Sequence, residues 1–205
     1  MGRPRLIADE AILAAAREVF LAQGAAATTH AVALRVGVSQ AAIFKRFPTK
    51  QELFLAAMAS DPERQDIVDR FQKRAKAHGV RRALAGLGDD LLPLFRRMLP
   101  LLMLSWSNRA EFGFPKAMSG GSYPPTRAAR EIVSFMEGEM RARRLRKHDP
   151  WLVTRVFVGS LQSYALMELL SKGAEMTVPA LPPKQYVRGL VEVLWKGIAP
   201  PREQK

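Results

Sequence analysis

The sequence predicts an all-α fold: an N-terminal three-helix helix-turn-helix domain, then a larger helical domain, about nine helices in all. Nearly every informative segment spaces its apolar residues as a helix does, and none alternates as a half-buried strand does. Within residues 1–60, Thr, Ser and Gly stand where short helices should start and stop. Beyond residue 60, long periodic stretches are parted by two loops: Gly113–Pro125, with three Gly and three Pro, and Gly173–Pro183, with three Pro.

The first helix carries Ile12, Leu13, Ala16, Val19 and Phe20 on one face, and Gly24 stops it. Thr28 and Thr29 supply N-cap hydroxyls for a short helix bearing Val32, Ala33 and Val36. Gly37 closes that helix, and Ser39 caps the next, Gln40–Arg46. Thr49-Lys50-Gln51-Glu52 is a Thr-x-x-Glu capping box. It opens a fourth short helix through Leu53, Phe54, Ala57 and Met58. Five or so longer helices are expected near 63–77, 80–108, 124–147, 149–172 and 183–198.

A chain of 205 residues can bury roughly 70% of its unfolded surface, so a sizeable core is expected. We place a small domain at 1–55 and a larger one at 56–205. With no cysteine, disulfides, zinc ribbons and thiol nucleophiles are excluded. The longest apolar run, Met98–Leu104, contains Pro100 and falls far short of the roughly 20 residues of a membrane span. The basic start meets Asp9 and Glu10 where a secretory leader needs an apolar run. A soluble, cytoplasmic protein without a membrane partner is expected.

Catalytic signals are missing. His30, His78 and His148 lie far apart, outside any metal-ligand spacing. No phosphate loop, nucleophile elbow or dinucleotide fingerprint occurs. Gly120-Gly121-Ser122 has no strand before it and reads as a turn, and Asp89-Asp90 reads as a solvated helix face. The expectation is no enzyme, no metal and no cofactor.

The net charge of +13 favours anionic partners, although 22 Arg against 10 Lys and abundant Ala also mark the coding of a GC-rich genome. More specific is Thr29–Phe47, which has helix-turn-helix grammar. Two short helices meet at Val36-Gly37-Val38-Ser39, Ala33 leaves room for them to cross, and Ile43 turns the second helix toward the core. A Gly turn alone occurs in any helical hairpin. Here, however, the exposed face keeps Gln40, Ala41, Lys45 and Arg46. In a major groove Gln40 could pair with adenine, Ala41 could meet a thymine methyl, and Lys45 could reach guanine or a phosphate. Arg3 and Arg5, in a basic arm, suit a narrow minor groove.

The run from Ile12 to Leu53 resembles the DNA-binding domain of TetR-family transcriptional regulators. The matching residues are Ile12, Leu13, Ala15, Ala16, Phe20 and Gly24, then Thr28-Thr29 and Val36-Gly37-Val38-Ser39. They continue through Ile43-Phe44, Arg46-Phe47 and Lys50-Gln51-Glu52-Leu53. The resemblance makes Gln40–Arg46 the recognition helix, with Thr29 capping the preceding helix and offering a hydroxyl to phosphate. It gives Lys50 a contact to the DNA backbone across the groove. The family usually has Tyr where this chain has Phe44 and His where it has Arg46, so Arg46 is expected to replace a lost phosphate contact. The candidate DNA-binding set is Arg3, Arg5, Thr28, Thr29, Ser39, Gln40, Ala41, Phe44, Lys45, Arg46 and Lys50.

For the larger domain the resemblance implies a small-molecule effector and a homodimer. Aromatic and Met residues of the middle helices could line an adaptable cavity, though as plain core they need no ligand. The candidate lining is Phe95, Met98, Met103, Trp106, Phe135 and Tyr164. The last two helices carry apolar faces beyond the needs of one core, and Phe157, Leu161, Leu190 and Leu194 are the dimerisation candidates. Residues 1–54 hold +3 of the net charge and residues 55–205 hold +10. The densest cluster is Arg141, Arg143, Arg144, Arg146 and Lys147, which we read as favoured by the dipole at a helix end. A second nucleic-acid footprint or an anionic-ligand site is the alternative there.

The expected function is a homodimeric transcriptional repressor that binds double-stranded DNA at a near-palindromic operator and is released from it by a small-molecule effector. A 100-fold release needs a coupling of about 2.7 kcal/mol. The alternative is a basic nucleoid-type protein that coats DNA with little sequence preference.

Overall fold

The computed structural model describes residues 8–60, 62–112, 124–171 and 181–200. Among them are ten α-helices, one 3₁₀ turn and no strand. The first seven helices are α1 (Asp9–Gln23), α2 (Thr29–Val36), α3 (Gln40–Phe44), α4 (Lys50–Ala59), α5 (Pro62–His78), α6 (Val80–Ser107) and α7 (Arg109–Phe112). The last three are α8 (Pro124–Arg141), α9 (Pro150–Leu170) and α10 (Pro183–Ile198); the 3₁₀ turn, Gly24–Ala26, follows α1. None of the described helices is long and apolar enough to cross a membrane.

Two compact units divide the chain, one within residues 1–61 and 98–119, the other within 62–97 and 120–205. The first unit therefore takes in the C-terminal part of α6 and all of α7, which lie far beyond residue 55 in sequence. α1 starts with Asp9 and Glu10, whose charges suit the positive end of the helix dipole. Its inner face, Ile12, Leu13, Ala15, Ala16, Val19 and Phe20, is buried. Three fully buried rings centre this core. Phe54 stacks on Phe112 at 4.3 Å between centroids, and Phe20 meets both edge-on at 5.0 and 5.7 Å. Such ring pairs contribute about 0.5–1.5 kcal/mol each beyond the area they bury.

In the second unit, Phe71, Leu84, Leu87, Met136, Phe157 and Leu161 are almost wholly buried. α9 begins at Asp149, whose carboxylate accepts from the amides of Trp151 and Leu152 at 2.8 and 3.2 Å, with Pro150 at the first helical position. Asp90 departs from the expected solvated face. Its side chain is only 17% exposed, and its carboxylate accepts from Arg70 and Arg74.

α8 stops at Arg141, short of the expected end near 147. Arg143 takes the left-handed backbone (φ 58°), and the Arg144 amide returns to the Glu139 carbonyl at 2.9 Å. Of the basic cluster only Arg141 therefore lies in the last turn of a helix, where it pairs with Glu137. Arg144 makes two 2.7 Å bonds to Glu139, and Leu145 is buried. The dipole argument holds for one cation of the five, because the turn carries the others past the helix end.

Gly88 marks the tightest helix approach in this unit. A Cβ built there lies 2.6 Å from Val187 Cγ1, so α6 and α10 have no room for a methyl group. Gly88→Ala gains helix propensity yet is expected to destabilise by about 1–3 kcal/mol through overpacking. Urea unfolding checks the sign, and a second change, Val187→Ala, should restore part of the loss.

Candidate nucleic-acid interface

The first unit arranges α2, α3 and α4 so that three capped helix starts and one exposed helix face occur together. Thr28 is extended (φ −119°, ψ 151°), and its hydroxyl accepts from the Ala31 amide at 3.1 Å. Thr28 alone is therefore the N-cap of α2. Thr29 already lies inside the helix, where its own hydroxyl cannot cap, contrary to the expectation that it would. It is buried, and that hydroxyl accepts from Gln40 Nε2 at 2.7 Å. Thr29 thus supports the start of α3.

α2 ends at Gly37 in the left-handed region (φ 78°, ψ 34°), where any side chain would be strained. The Ala33 carbonyl accepts from both Gly37 and Val38, and Ala33 is buried where the helices cross. Ser39 then caps α3, its hydroxyl accepting from Ala42 at 3.2 Å. α3 runs only to Phe44, and Lys45 to Phe47 continue as turns. Ile43 is fully buried beneath it, while Ala41, Phe44, Lys45 and Arg46 are exposed. Lys45 has no acidic partner among the described residues, whereas Arg46 pairs with Asp9 at 3.1 Å.

Thr49 caps α4, accepting from the Glu52 amide at 3.0 Å as the capping box predicts. Lys50 follows with its charge engaged. Its ammonium donates to the Ala25 carbonyl at 2.6 Å and to Glu111 at 2.5 Å, and lies 5.3 Å from the Phe112 ring centroid. Asp9, Glu111 and Phe112 were not among the candidates; their partners lie 37 to 62 residues away, and no local spacing signals them. Arg3 and Arg5, and with them the basic arm, lie outside the described residues, as does Gly120-Gly121-Ser122.

The six candidate cavity residues are divided between the two units. Met98, Met103 and Trp106 fall in the first unit, with Trp106 60% exposed beside Arg109. Phe95, Phe135 and Tyr164 fall in the second. There Phe95 is buried in the core and Phe135 packs edge-on against Phe71. Tyr164 leans on Tyr186 at 4.4 Å and donates to the Leu181 carbonyl. Burial and the neighbouring Glu168 carboxylate raise the Tyr164 phenol above its ordinary range. Of the dimerisation candidates, Phe157 and Leu161 are buried in the chain's own core, and Leu190 and Leu194 are half-buried.

Residues 12–57 match the family profile of bacterial regulatory proteins, tetR family. No curated protein matches the chain. Several solved structures share its fold. A Mesorhizobium loti protein assigned to the TetR-family transcriptional regulators superposes with a TM-score of 0.73 at 17% identity, over 93% of this chain and 96% of that one. FadR of Bacillus subtilis, a transcriptional regulator solved with stearoyl-CoA, gives 0.69 at 13% identity, over 91% and 97%. The TetR-family regulator PfmR of Thermus thermophilus gives 0.62 at 16% identity, over 90% and 97%. Residues 12–57 therefore carry the pattern of the tetR family of bacterial regulatory proteins, and the chain shares its fold with solved structures of that family.

Proposed function

We propose that this protein is a DNA-binding transcriptional repressor, working as a homodimer on a near-palindromic operator and released by a small-molecule effector. The observation that carries the proposal is the exposed face of α3, mounted on the buried Ile43 between capped helix starts. Ala41 sits against a thymine methyl, Lys45 reaches guanine or phosphate, and Gln40 reads an adenine with the amide oxygen and the N–H that Thr29 leaves free. Thr28 and Ser39 lie at helix starts that favour phosphate. Arg46, held by Asp9, and Lys50 supply backbone charge, Phe44 packs at the rim, and Arg3 and Arg5 take the minor groove.

The dimer reading is supported by exposed apolar side chains on the last two helices: Leu152 (60% exposed) and Val156 on α9, and Val193 (72%) on α10. Gly159, Gly189 and Gly197 occur within these helices, and a Cβ at any of them would meet nothing within 4 Å. A helix-interior Gly is unfavourable by about 1 kcal/mol. Close approach of a second copy gives these glycines a role that packing within one chain does not. Leu190 and Leu194 border that face. FadR, similar in fold, is a transcriptional regulator solved with stearoyl-CoA, which supports a small-molecule effector here.

Selection of bound sites from a random duplex library at moderate salt tests the proposal. The expected result is an inverted repeat whose half-sites lie roughly 34 Å apart, or a multiple of that. Binding without an enriched motif would favour the alternative, a basic protein that coats DNA.

A further inference from the structure

We propose that Glu111 is a built-in competitor for the DNA phosphate that Lys50 holds, so that this carboxylate lowers both the affinity for DNA and its salt dependence. The proposal rests on the DNA-binding function given above. Lys50 occupies the first position of α4, directly after the Thr49 cap. A helix start carries the positive end of the dipole, so a cation is disfavoured there and an anion is favoured. The free protein compensates the ammonium from within, through the Ala25 carbonyl, the Glu111 carboxylate and the face of Phe112. Glu111 is the only one of the three that carries charge, and it stands where a phosphate oxygen would be drawn.

The backbone that carries the carboxylate is anchored beside Lys50. Glu111 belongs to α7, and the next residue, Phe112, is fully buried between Phe20 and Phe54. The ion pair itself is at the surface, with side chains 26% and 42% exposed, so a phosphate can reach it. A surface pair of this kind contributes little to stability. Ala25 and Phe112 still hold Lys50 in place when the charge at position 111 is removed. Glu111→Gln therefore deletes the competing charge and leaves the shape, the lysine position and the fold.

The test is equilibrium binding of the full chain and its Glu111→Gln variant to a mixed-sequence duplex of about three helical turns. One more phosphate neutralised should steepen the slope of log K against log salt by about 0.9. The advantage of Glu111→Gln should then grow about 3.5-fold as salt falls from about 200 to about 50 mM. In a Lys50→Met background the advantage should vanish, because it acts through that ammonium. Equal slopes, weaker binding by Glu111→Gln, or an advantage that persists without Lys50 each overturn the proposal. Failure of the DNA-binding function itself looks different: the unaltered protein shows no salt-dependent binding of the duplex, and the proposal falls with it.

Discussion

Replacing Phe54 by Ala is expected to destabilise the first unit by about 3–5 kcal/mol, the range for truncating a buried aromatic. Phe54 is fully buried, stacked on Phe112 and edge-on to Phe20, so its loss opens a cavity against two other rings. It also removes the principal partner of Phe112, and with it the hold of α4 on the distant α7. For a chain of this size the melting midpoint should fall on the order of 10 °C. DNA binding should fail at temperatures where the unaltered protein still binds. Phe54→Leu keeps most of the volume and should cost much less, about 1–2 kcal/mol. Calorimetry on the two variants decides the matter: a loss below about 1 kcal/mol for Phe54→Ala would mean that the three rings do not form the centre of this core.

That core shows what local sequence carries and what it omits. Ser39 and Thr49 accept hydrogen bonds from amides three residues on, and Gly37 takes a left-handed backbone. These are short-range effects of residue type, so caps and turns in 28–52 were legible. α10 occupies the expected 183–198 for a similar reason: Pro183 opens it, and its apolar residues recur on one face. The arrival of α7 in the first unit has no such signature. Phe112 meets Phe54 and Phe20 across 58 and 92 residues, and a four-residue helix is too short to show a period. α9 hid its inner face differently. Trp151, Leu152, Val156, Phe157 and Leu161 spread apolar side chains around the helix, so periodicity could not separate the buried Phe157 and Leu161 from the exposed Leu152 and Val156. The end of α8 was missed because an arginine, not a glycine, takes the left-handed position at 143. In the binding face, the exposure of Ala41, Phe44, Lys45 and Arg46 was readable, whereas Gln40, expected on the same exposed face, is half-buried against Thr29. The partners of Gln40, Arg46 and Lys50 depend on packing between helices.

Ala41→Glu is expected to weaken DNA binding about 100-fold, or about 2.7 kcal/mol, the order expected when like charges are brought together at an interface. Ala41 is exposed at the second position of α3, on the face opposite the buried Ile43. If that face enters the major groove, the new carboxylate meets base-edge acceptors and the flanking phosphates, and also neutralises the helix-start dipole that would attract them. Folding responds in the opposite direction. An acidic residue in the first turn of a helix is favourable by about 0.3–1 kcal/mol, so the unfolding midpoint should hold or rise slightly. Weaker binding by a protein of undiminished stability cannot be attributed to misfolding, and Ala41→Ser, which adds a small hydroxyl without charge, should bind much more nearly as the unaltered protein does. Should Ala41→Glu bind duplex DNA as well as its parent, α3 does not lie in the groove, and the exposed face on which the proposed regulator rests has another purpose.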